Sequence, residues 1–146
     1  MRGMKIQKKI VALGLSLLVL GSTVSSAMAY VYKQGTEYQT VTHKNIPAWG
    51  DIHYDTTYGS KKTMTSQIGT FKKTQGDAAL GNFAELTTSA KKTVSDVGGI
   101  PLNRMILLSE YSCKKGTVYF SAVSSHALEP SNTCDVTLKF SADNLY

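Results

Sequence analysis

The final segment of the chain restricts the possible folds more than any other feature of the sequence. In residues 134–141, the apolar residues Val136, Leu138 and Phe140 alternate with polar ones. A period of two puts apolar side chains on one face of a β-strand and polar side chains on the other. We therefore expect a sheet that has one buried face and one face in water.

Three earlier segments carry weaker structural signals. Residues 117–124 alternate in the same way, and residues 104–112 contain a continuous apolar run that is typical of a strand buried on both faces. A short buried helix is the alternative for residues 104–112, because Met and Leu favour helices. For residues 83–94 both a strand and a short helix remain open.

Residues 1–29 have the pattern of an export signal. The first nine positions contain basic residues and no acidic ones, an apolar run extends from Ile10 to Leu20, and the segment ends in Ala-Met-Ala. This order predicts a signal peptide that is cleaved after Ala29. The apolar run is shorter than the roughly 20 residues of a membrane-spanning helix. We therefore expect residues 30–146 to form one secreted, extracellular, β-rich domain without a membrane span.

Export would also remove most of the positive charge. The 146 residues include 16 basic and 10 acidic side chains, which gives a formal net charge of +6. Four basic residues and no acidic ones lie in residues 1–29, so the remaining domain has a formal net charge of +2. An exported and nearly balanced domain is not expected to bind nucleic acid.

Both cysteines, Cys113 and Cys134, lie in the predicted secreted domain. An even number of cysteines in an oxidising compartment predicts a disulfide, with a reactive thiol as the alternative. A flat meander of the last three predicted strands would hold them about 25 Å apart, whereas a disulfide needs Cα atoms within about 7 Å. The bridge therefore predicts a return connection through residues 125–133. Such a connection is typical of a small antiparallel, Greek-key-like β-sandwich.

One short cluster of chemical groups is present, because Asp51, His53 and Asp55 would share one face of a strand. Two carboxylates and an imidazole can form a metal site or an acid–base pair. A metal site normally needs further placed ligands, and the sequence contains neither a serine-hydrolase elbow nor a zinc-binding spacing. We therefore expect no cofactor, no metal and no catalytic residue, with these three side chains as weak metal candidates.

Pairs of lysines recur along the predicted domain. They are compatible with an anion-binding surface for cell-wall polymers, lipid headgroups or nucleic acid. The small net charge favours another interpretation, in which lysines at strand ends and edges deter edge-to-edge pairing. The candidate anion-binding residues are Lys61, Lys62, Lys72, Lys73, Lys91, Lys92, Lys114 and Lys115.

Aromatic residues are concentrated in the first third of the domain. Exposed, they would stack on sugar rings or form a protein-binding patch. Buried, they would form the core, which is the interpretation we expect, except for Tyr30 and Tyr32 near the start of the domain. The six residues are Tyr30, Tyr32, Tyr38, Trp49, Tyr54 and Tyr58.

Several short motifs resemble a group of small secreted proteins of Gram-positive bacteria. They are Ile-Pro-Ala-Trp-Gly at 46–50, Lys-Thr-Met-Thr at 62–65, the Lys-Gly-Thr-Val turn at 115–118 and the closing segment at 136–143. The resemblance implies a single secreted β-rich domain with no assigned activity, and it transfers no catalytic residue.

Three functions are compatible with these features. We expect a secreted, non-enzymatic binding protein whose partner is a cell-envelope polymer or another extracellular protein. The alternative is a secreted antagonist of the bacteriocin or toxin type, although the basic amphipathic helix of a membrane-disrupting peptide is absent. A hydrolase built around Asp51, His53 and Asp55 ranks third.

Overall fold

The computed structural model describes residues 29–76, 78–130 and 134–146. Ten strands follow one another in these ranges: β1 (Val31–Gln34), β2 (Gln39–Ile46), β3 (Ile52–Tyr54), β4 (Tyr58–Lys61), β5 (Ile68–Gln75), β6 (Asn82–Thr87), β7 (Gly98–Gly99), β8 (Met105–Ser109), β9 (Val118–Ser125) and β10 (Cys134–Ser141). The described part contains no helix long and apolar enough to cross a membrane. Residues 1–28 lie outside it, so the signal peptide stays a prediction.

The strands are arranged in two sheets. The larger has the order β1-β4-β9-β6-β7, and β3 also pairs with β9. The smaller has the order β2-β10-β5-β8. From β8 to β10 the chain passes from the four-stranded sheet to the six-stranded sheet and back. This two-sheet architecture confirms the predicted all-β class and is consistent with a β-sandwich.

The alternation in β10 places its apolar side chains in the core, as predicted. Val136, Leu138 and Phe140 are all 0% exposed. Phe140 stacks on Phe71 of the neighbouring β5, with ring centroids 5.7 Å apart. Burial of each such side chain contributes about 1.5–3 kcal/mol, so the inner face of the four-stranded sheet is a major part of the core.

The other strand predictions hold with different boundaries or burial. β9 matches the segment predicted at residues 117–124. β8 is a strand and not a helix, but it lies at the edge of its sheet and Leu107 is 40% exposed. The predicted burial on both faces is therefore wrong. In residues 83–94, strand β6 is followed by a hydrogen-bonded turn at Thr88 and Lys91, so this segment is not a helix.

The predicted disulfide is wrong, because Cys113 and Cys134 are both free thiols. β8 and β10 are each antiparallel to β5, which lies between them, so they run in the same direction. Cys113, shortly after β8, therefore lies towards the end at which β10 finishes, whereas Cys134 begins β10. Eight residues of strand span about 25 Å, far more than a disulfide can bridge.

The alternative of a reactive thiol is not supported at Cys113. This residue is 5% exposed, and burial raises the pKa of its thiol to about 11. A thiol with so high a pKa is almost fully protonated at neutral pH, and the thiolate is the nucleophilic form. Cys113 therefore acts as a small apolar side chain of the core.

Candidate binding surface

Two of the lysine pairs, Lys61–Lys62 and Lys72–Lys73, lie on or beside strands, and in each pair the two side chains point to opposite faces. Lys62 is 1% exposed and Lys73 is 5% exposed, whereas their neighbours Lys61 and Lys72 are half-buried. Consecutive residues of a strand point to opposite faces, so one member of each pair faces inwards. Of the eight candidate anion-binding lysines, Lys62 and Lys73 therefore point into the protein and do not belong to an exposed surface.

The inward lysines have partners inside the protein. Lys73 Nζ donates a hydrogen bond to Asn82 Oδ1 at 3.0 Å. Lys62 Nζ forms an ion pair with Glu110 at 2.6 Å. Both amines therefore contact polar groups inside the fold and are not available to an external anion.

The other two pairs lie in turns. Lys91 and Lys92 are exposed beyond β6, where Lys91 Nζ lies 5.6 Å from the centre of the Tyr54 ring. Lys114 and Lys115 are exposed in the turn that precedes β9. These turns lie outside the four-stranded sheet, so they are separate from the surface described next.

The outer face of the four-stranded sheet carries hydroxyls and amines in regular rows. In β2, β5 and β10 the outward positions alternate with buried ones. Thr42 Oγ1 and Thr137 Oγ1 hydrogen-bond to each other across the strands at 2.9 Å. We call this surface the threonine–lysine face, which consists of Thr40, Thr42, Lys44, Lys72, Thr74, Thr137 and Lys139.

Two lysines lie directly opposite each other at the centre of this face. Lys139 of β10 is in register with Lys72 of β5, and Thr40 of β2 follows in the same row. Like charges in this position repel and destabilise a sheet. In the described part of the chain neither lysine forms a salt bridge. Among the described residues, the row therefore presents two closely spaced positive charges that no carboxylate pairs with.

Protection of sheet edges does not explain these charges. β5 and β10 are the two inner strands of the four-stranded sheet, whereas lysines that deter edge-to-edge pairing belong on outer strands. The interpretation favoured from the sequence therefore fails for Lys72. Lys139 is isolated in the sequence and was missed, because its proximity to Lys72 depends on the register of two strands that are distant in the chain.

A bulge shapes one end of the threonine–lysine face. β2 has one more residue than β10 at this point, and Asn45 adopts a positive φ of 54°. The Asn45 backbone N–H donates to Asp135 Oδ1 at 2.9 Å, and Lys44 Nζ lies 4.0 Å from Asp135 Oδ2. A shallow, open depression of about 500 Å³ lies here, lined mainly by Thr42, Lys44, Asp135 and Thr137. The acidic side chain is thus held at the end of the face, away from the central lysine row.

The three weak metal candidates have separate roles. Asp55 Oδ1 accepts hydrogen bonds from the backbone N–H groups of Thr57 and Tyr58, at 3.0 and 2.9 Å. His53 contacts His43, and Asp51 precedes β3. Over the described ranges no group of three or more His, Cys, Asp or Glu side chains is placed to hold a metal ion. The local alternation put the three residues on one strand, but the turn after β3 engages Asp55.

A histidine pair connects the surface with the interior. His43 Nδ1 lies 3.0 Å from His53 Nδ1, and His43 Nε2 lies 2.8 Å from Ser121 Oγ. His43 and Ser121 are both 0% exposed, and burial, followed by the charge of His53, lowers the pKa of His43 to about 3. Ser121, His43 and His53 are thus aligned like a serine nucleophile with its base, but a substrate cannot reach the fully buried Ser121 hydroxyl. The arrangement acts as a sealed hydrogen-bond chain.

Sequence reasoning did not identify the hydrogen-bonded row of Ser121, His43 and His53. His43 shares the phase of the buried Val41 along β2, and that alternation was a usable signal that it points inwards. Ser121 carried no signal, because its partner lies 78 positions away in the sequence.

Most of the clustered aromatic residues do not belong to the core. Trp49 is 60% exposed, and Tyr32 and Tyr58 are 44% and 43% exposed. The expectation of an aromatic core is therefore wrong for Trp49 and Tyr58. Trp49 adopts a positive φ of 64° beside Gly50 at 81°, so the bend turns its side chain towards solvent.

Comparison with known proteins adds no functional information. Neither a scan against protein-family models nor a search of curated proteins gives a match. The functional argument therefore rests on the side chains described above.

Proposed function

We propose that this chain is a secreted, non-enzymatic binding protein that holds an anionic polymer of the cell envelope on its threonine–lysine face. The extracellular location is inferred from the predicted signal peptide at residues 1–29. A small antiparallel β-sandwich with Greek-key-like connections serves as the rigid scaffold.

The observation that carries the proposal is the cross-strand pairing of Lys72 with Lys139. Side chains directly opposite each other in a sheet have Cβ atoms about 4.5–5.5 Å apart. One phosphate or carboxylate group can therefore contact both amines. An anion bound between them would convert a mutual repulsion into two attractions, which gives this pair of lysines on inner strands a function.

The surroundings of the two lysines suit an extended polymer better than a small molecule. Thr40, Thr42, Thr74 and Thr137 supply hydroxyl groups that can donate or accept hydrogen bonds with sugar or phosphate oxygens. The face is a sheet surface with an open depression, whereas small-molecule sites are enclosed and largely apolar. A flat, polar and basic surface supports repeated weak contacts along a chain of anionic groups.

Retention on a purified cell-envelope fraction tests the proposal. We expect wild-type protein to bind and to be released by increasing salt, because a Debye length of about 8 Å at physiological ionic strength shortens at higher salt and screens exposed charges. The double variant Lys72→Gln/Lys139→Gln should bind about tenfold more weakly, a loss of roughly 1.4 kcal/mol.

The matched control removes two charges elsewhere. Lys114→Gln/Lys115→Gln has the same net charge as the face variant and should bind like wild type. Equal losses in both double variants, or retention that salt does not change, would overturn the assignment to this face. Binding abolished by protease treatment of the envelope fraction would show that the partner is a protein and not a polymer.

A further inference from the structure

Three ionisable side chains meet in the interior of the described chain. Lys62 Nζ lies 2.6 Å from Glu110 Oε1 and 3.7 Å from Asp143 Oδ1. All three side chains are 0% exposed. We call Lys62, Glu110 and Asp143 the buried ionic cluster. Burying charged groups costs several kcal/mol for each ion unless they are well paired. Three buried ionisable groups in one place therefore require an explanation.

We propose that the buried ionic cluster is a self-modification site, at which Lys62 and Asp143 condense to an intramolecular isopeptide bond with Glu110 as the proton-transfer group. The bond joins Nζ of Lys62 to Cγ of Asp143 as a neutral amide, and one water molecule leaves. The reaction requires no oxidant, reductant or cofactor.

The amine is held beside the carboxyl group by hydrogen bonds to other groups. Lys62 Nζ donates to Glu110 Oε1 at 2.6 Å and to the backbone carbonyl of Ala142 at 2.7 Å. Its 3.7 Å distance from Asp143 Oδ1 is longer than a hydrogen bond and leaves the amine in van der Waals range of the carboxyl group whose Cγ it would attack. The amine is therefore positioned next to an acyl group and is not engaged with it in a close ion pair.

The carboxyl group of Asp143 is surrounded by donors. The Thr63 backbone N–H lies 3.1 Å from both carboxylate oxygens, and the Met64 N–H donates to Oδ1 at 3.0 Å. The Thr63 hydroxyl also donates to Oδ2. Fixed donors of this kind stabilise the negative charge that develops on oxygen when a nucleophile adds to a carbonyl group.

Glycine at position 35 makes room for this carboxyl group. A Cβ atom on Gly35 would lie 2.2 Å from Asp143 Oδ2 and 2.9 Å from the Lys61 carbonyl oxygen. No larger residue fits without displacing Asp143. The close approach of the backbone to the carboxyl group is thus built into the sequence.

Glu110 has the properties of a proton carrier. Its Oε1 contacts Lys62, while its Oε2 is buried and has no hydrogen-bond partner in the described chain. Burial raises the pKa of Glu110 to about 7, against the opposing effect of Lys62. A carboxyl group that titrates near neutral pH can both accept and return a proton.

The proposed steps conserve protons and atoms. The Lys62 ammonium transfers one proton to the Glu110 carboxylate, and the resulting amine adds to Cγ of Asp143. Glu110 passes that proton, and a second one from the nitrogen, to the oxygen that leaves as water. Nζ keeps one hydrogen, the second carboxyl oxygen becomes the amide carbonyl, and Glu110 returns to its starting state.

The product is favoured by its surroundings. One positive and one negative charge disappear from the interior, which removes their desolvation penalty. The site is sealed, so water needed for hydrolysis is excluded. Lys62 follows β4 of the six-stranded sheet and Asp143 follows β10 of the four-stranded sheet. The bond would therefore link the two sheets across about 80 residues of sequence, as a disulfide would in another protein.

The intact mass of the purified, folded protein tests this proposal, once its N-terminus has been read by sequencing. We expect a mass lower by one water than its sequence gives, and a proteolytic peptide pair joined through Lys62 and Asp143. The same chain kept in denaturant from synthesis onwards should have the full calculated mass. A folded wild-type protein with the full calculated mass overturns the proposal, and this result does not depend on the folding of any variant.

Variants separate the proposed bond from dehydration elsewhere. Lys62→Arg and Glu110→Gln should restore the full mass, while the neighbouring control Lys61→Arg should keep the deficit. A deficit that persists in Lys62→Arg would place the lost water at another site and would also overturn the proposal.

Discussion

The buried ionic cluster and the threonine–lysine face place the same kind of side chain in opposite surroundings. Lys62 is fully enclosed, and its amine contacts two carboxyl groups and a backbone carbonyl. Lys72 and Lys139 face each other on an outer surface. The interior charge has to be compensated within the protein, whereas the surface charges remain available to an external anion.

The comparison shows why adjacent lysines in a sequence need not act together. Lys72 lies on the outer face of β5 while Lys73 is buried beside Asn82. The pleat separates neighbours and brings together residues from different strands. A surface of positive charge is therefore made by strand register and not by a run of lysines.

The largest expected effect lies in the buried ionic cluster. Lys62→Met removes both the buried cation and the proposed bond to Asp143, and it leaves two buried carboxyl groups without a partner. Breaking a buried pair in this way costs about 3–5 kcal/mol. Lys61→Met removes only a half-buried lysine whose amine lies over the Tyr32 ring, which should cost about 1 kcal/mol or less. Urea unfolding of both variants measures the difference. Similar losses would show that the two lysines are energetically equivalent and would break the comparison.

The pH dependence of stability separates two buried titratable groups. Because the pKa of His43 is lowered to about 3, the unfolded chain binds more protons between about pH 6.5 and 3. The contribution of His43 to the free energy of unfolding therefore falls as pH decreases through that window. Glu110, whose pKa is raised to about 7, acts in the opposite direction between about pH 7 and 4.5.

Replacement of His43 makes this dependence measurable. Between pH 6 and pH 4.5, protonation of His43 in the unfolded chain should lower the free energy of unfolding of the wild-type protein by about 2 kcal/mol, at about 1.4 kcal/mol for each pH unit. His43→Asn should not show this loss. Glu110→Gln should instead make the loss at acid pH steeper. Urea unfolding at several pH values gives both slopes, and parallel curves for wild type and His43→Asn would contradict the assignment.

A smaller effect is expected on the threonine–lysine face. Lys139→Gln relieves the repulsion with Lys72, so it should raise the free energy of unfolding by about 0.2–1 kcal/mol at low salt. The gain should vanish at high salt, because exposed charges are then screened. Destabilisation by Lys139→Gln at low salt would show that the pair is compensated in the folded protein, and it would remove the main support for the proposed binding surface.

The smallest effect concerns the hydroxyls of the same face. Thr42 and Thr137 share one hydrogen bond across β2 and β10. Their coupling energy in a double-mutant cycle with alanine should be about 0.5 kcal/mol, as expected for a cross-strand pair. A coupling above about 2 kcal/mol would show that this hydrogen bond stabilises the fold far more than an ordinary exposed cross-strand pair does.

Much of the local structure could be predicted from the sequence, and most of the candidate sites could not. The alternation of Val136, Leu138 and Phe140 identified both the strand and its buried face, since a period of two depends only on the local backbone. The same reasoning put Asp55 on a strand face, but the following turn captures its carboxylate. Local periodicity does not report where a strand stops.

The failed disulfide prediction has a similar origin. The predicted export to an oxidising compartment and the even number of cysteines indicated a disulfide between Cys113 and Cys134. Their separation, however, depends on the shared direction of β8 and β10 on either side of β5. That direction is a property of sheet order. The sequence contained no signal for it.

By itself, the amino-acid sequence determined that the chain forms β-strands and which side of β10 is buried, because both follow from the spacing of apolar residues along an extended backbone. The tertiary structure alone decided that Lys72 lies opposite Lys139 and that Lys62 lies between Glu110 and Asp143. These neighbours come from strands distant in sequence, and their meeting depends on sheet order and register. An exposed row of lysines and a buried ionic cluster therefore arise from lysines that the sequence presents as equivalent.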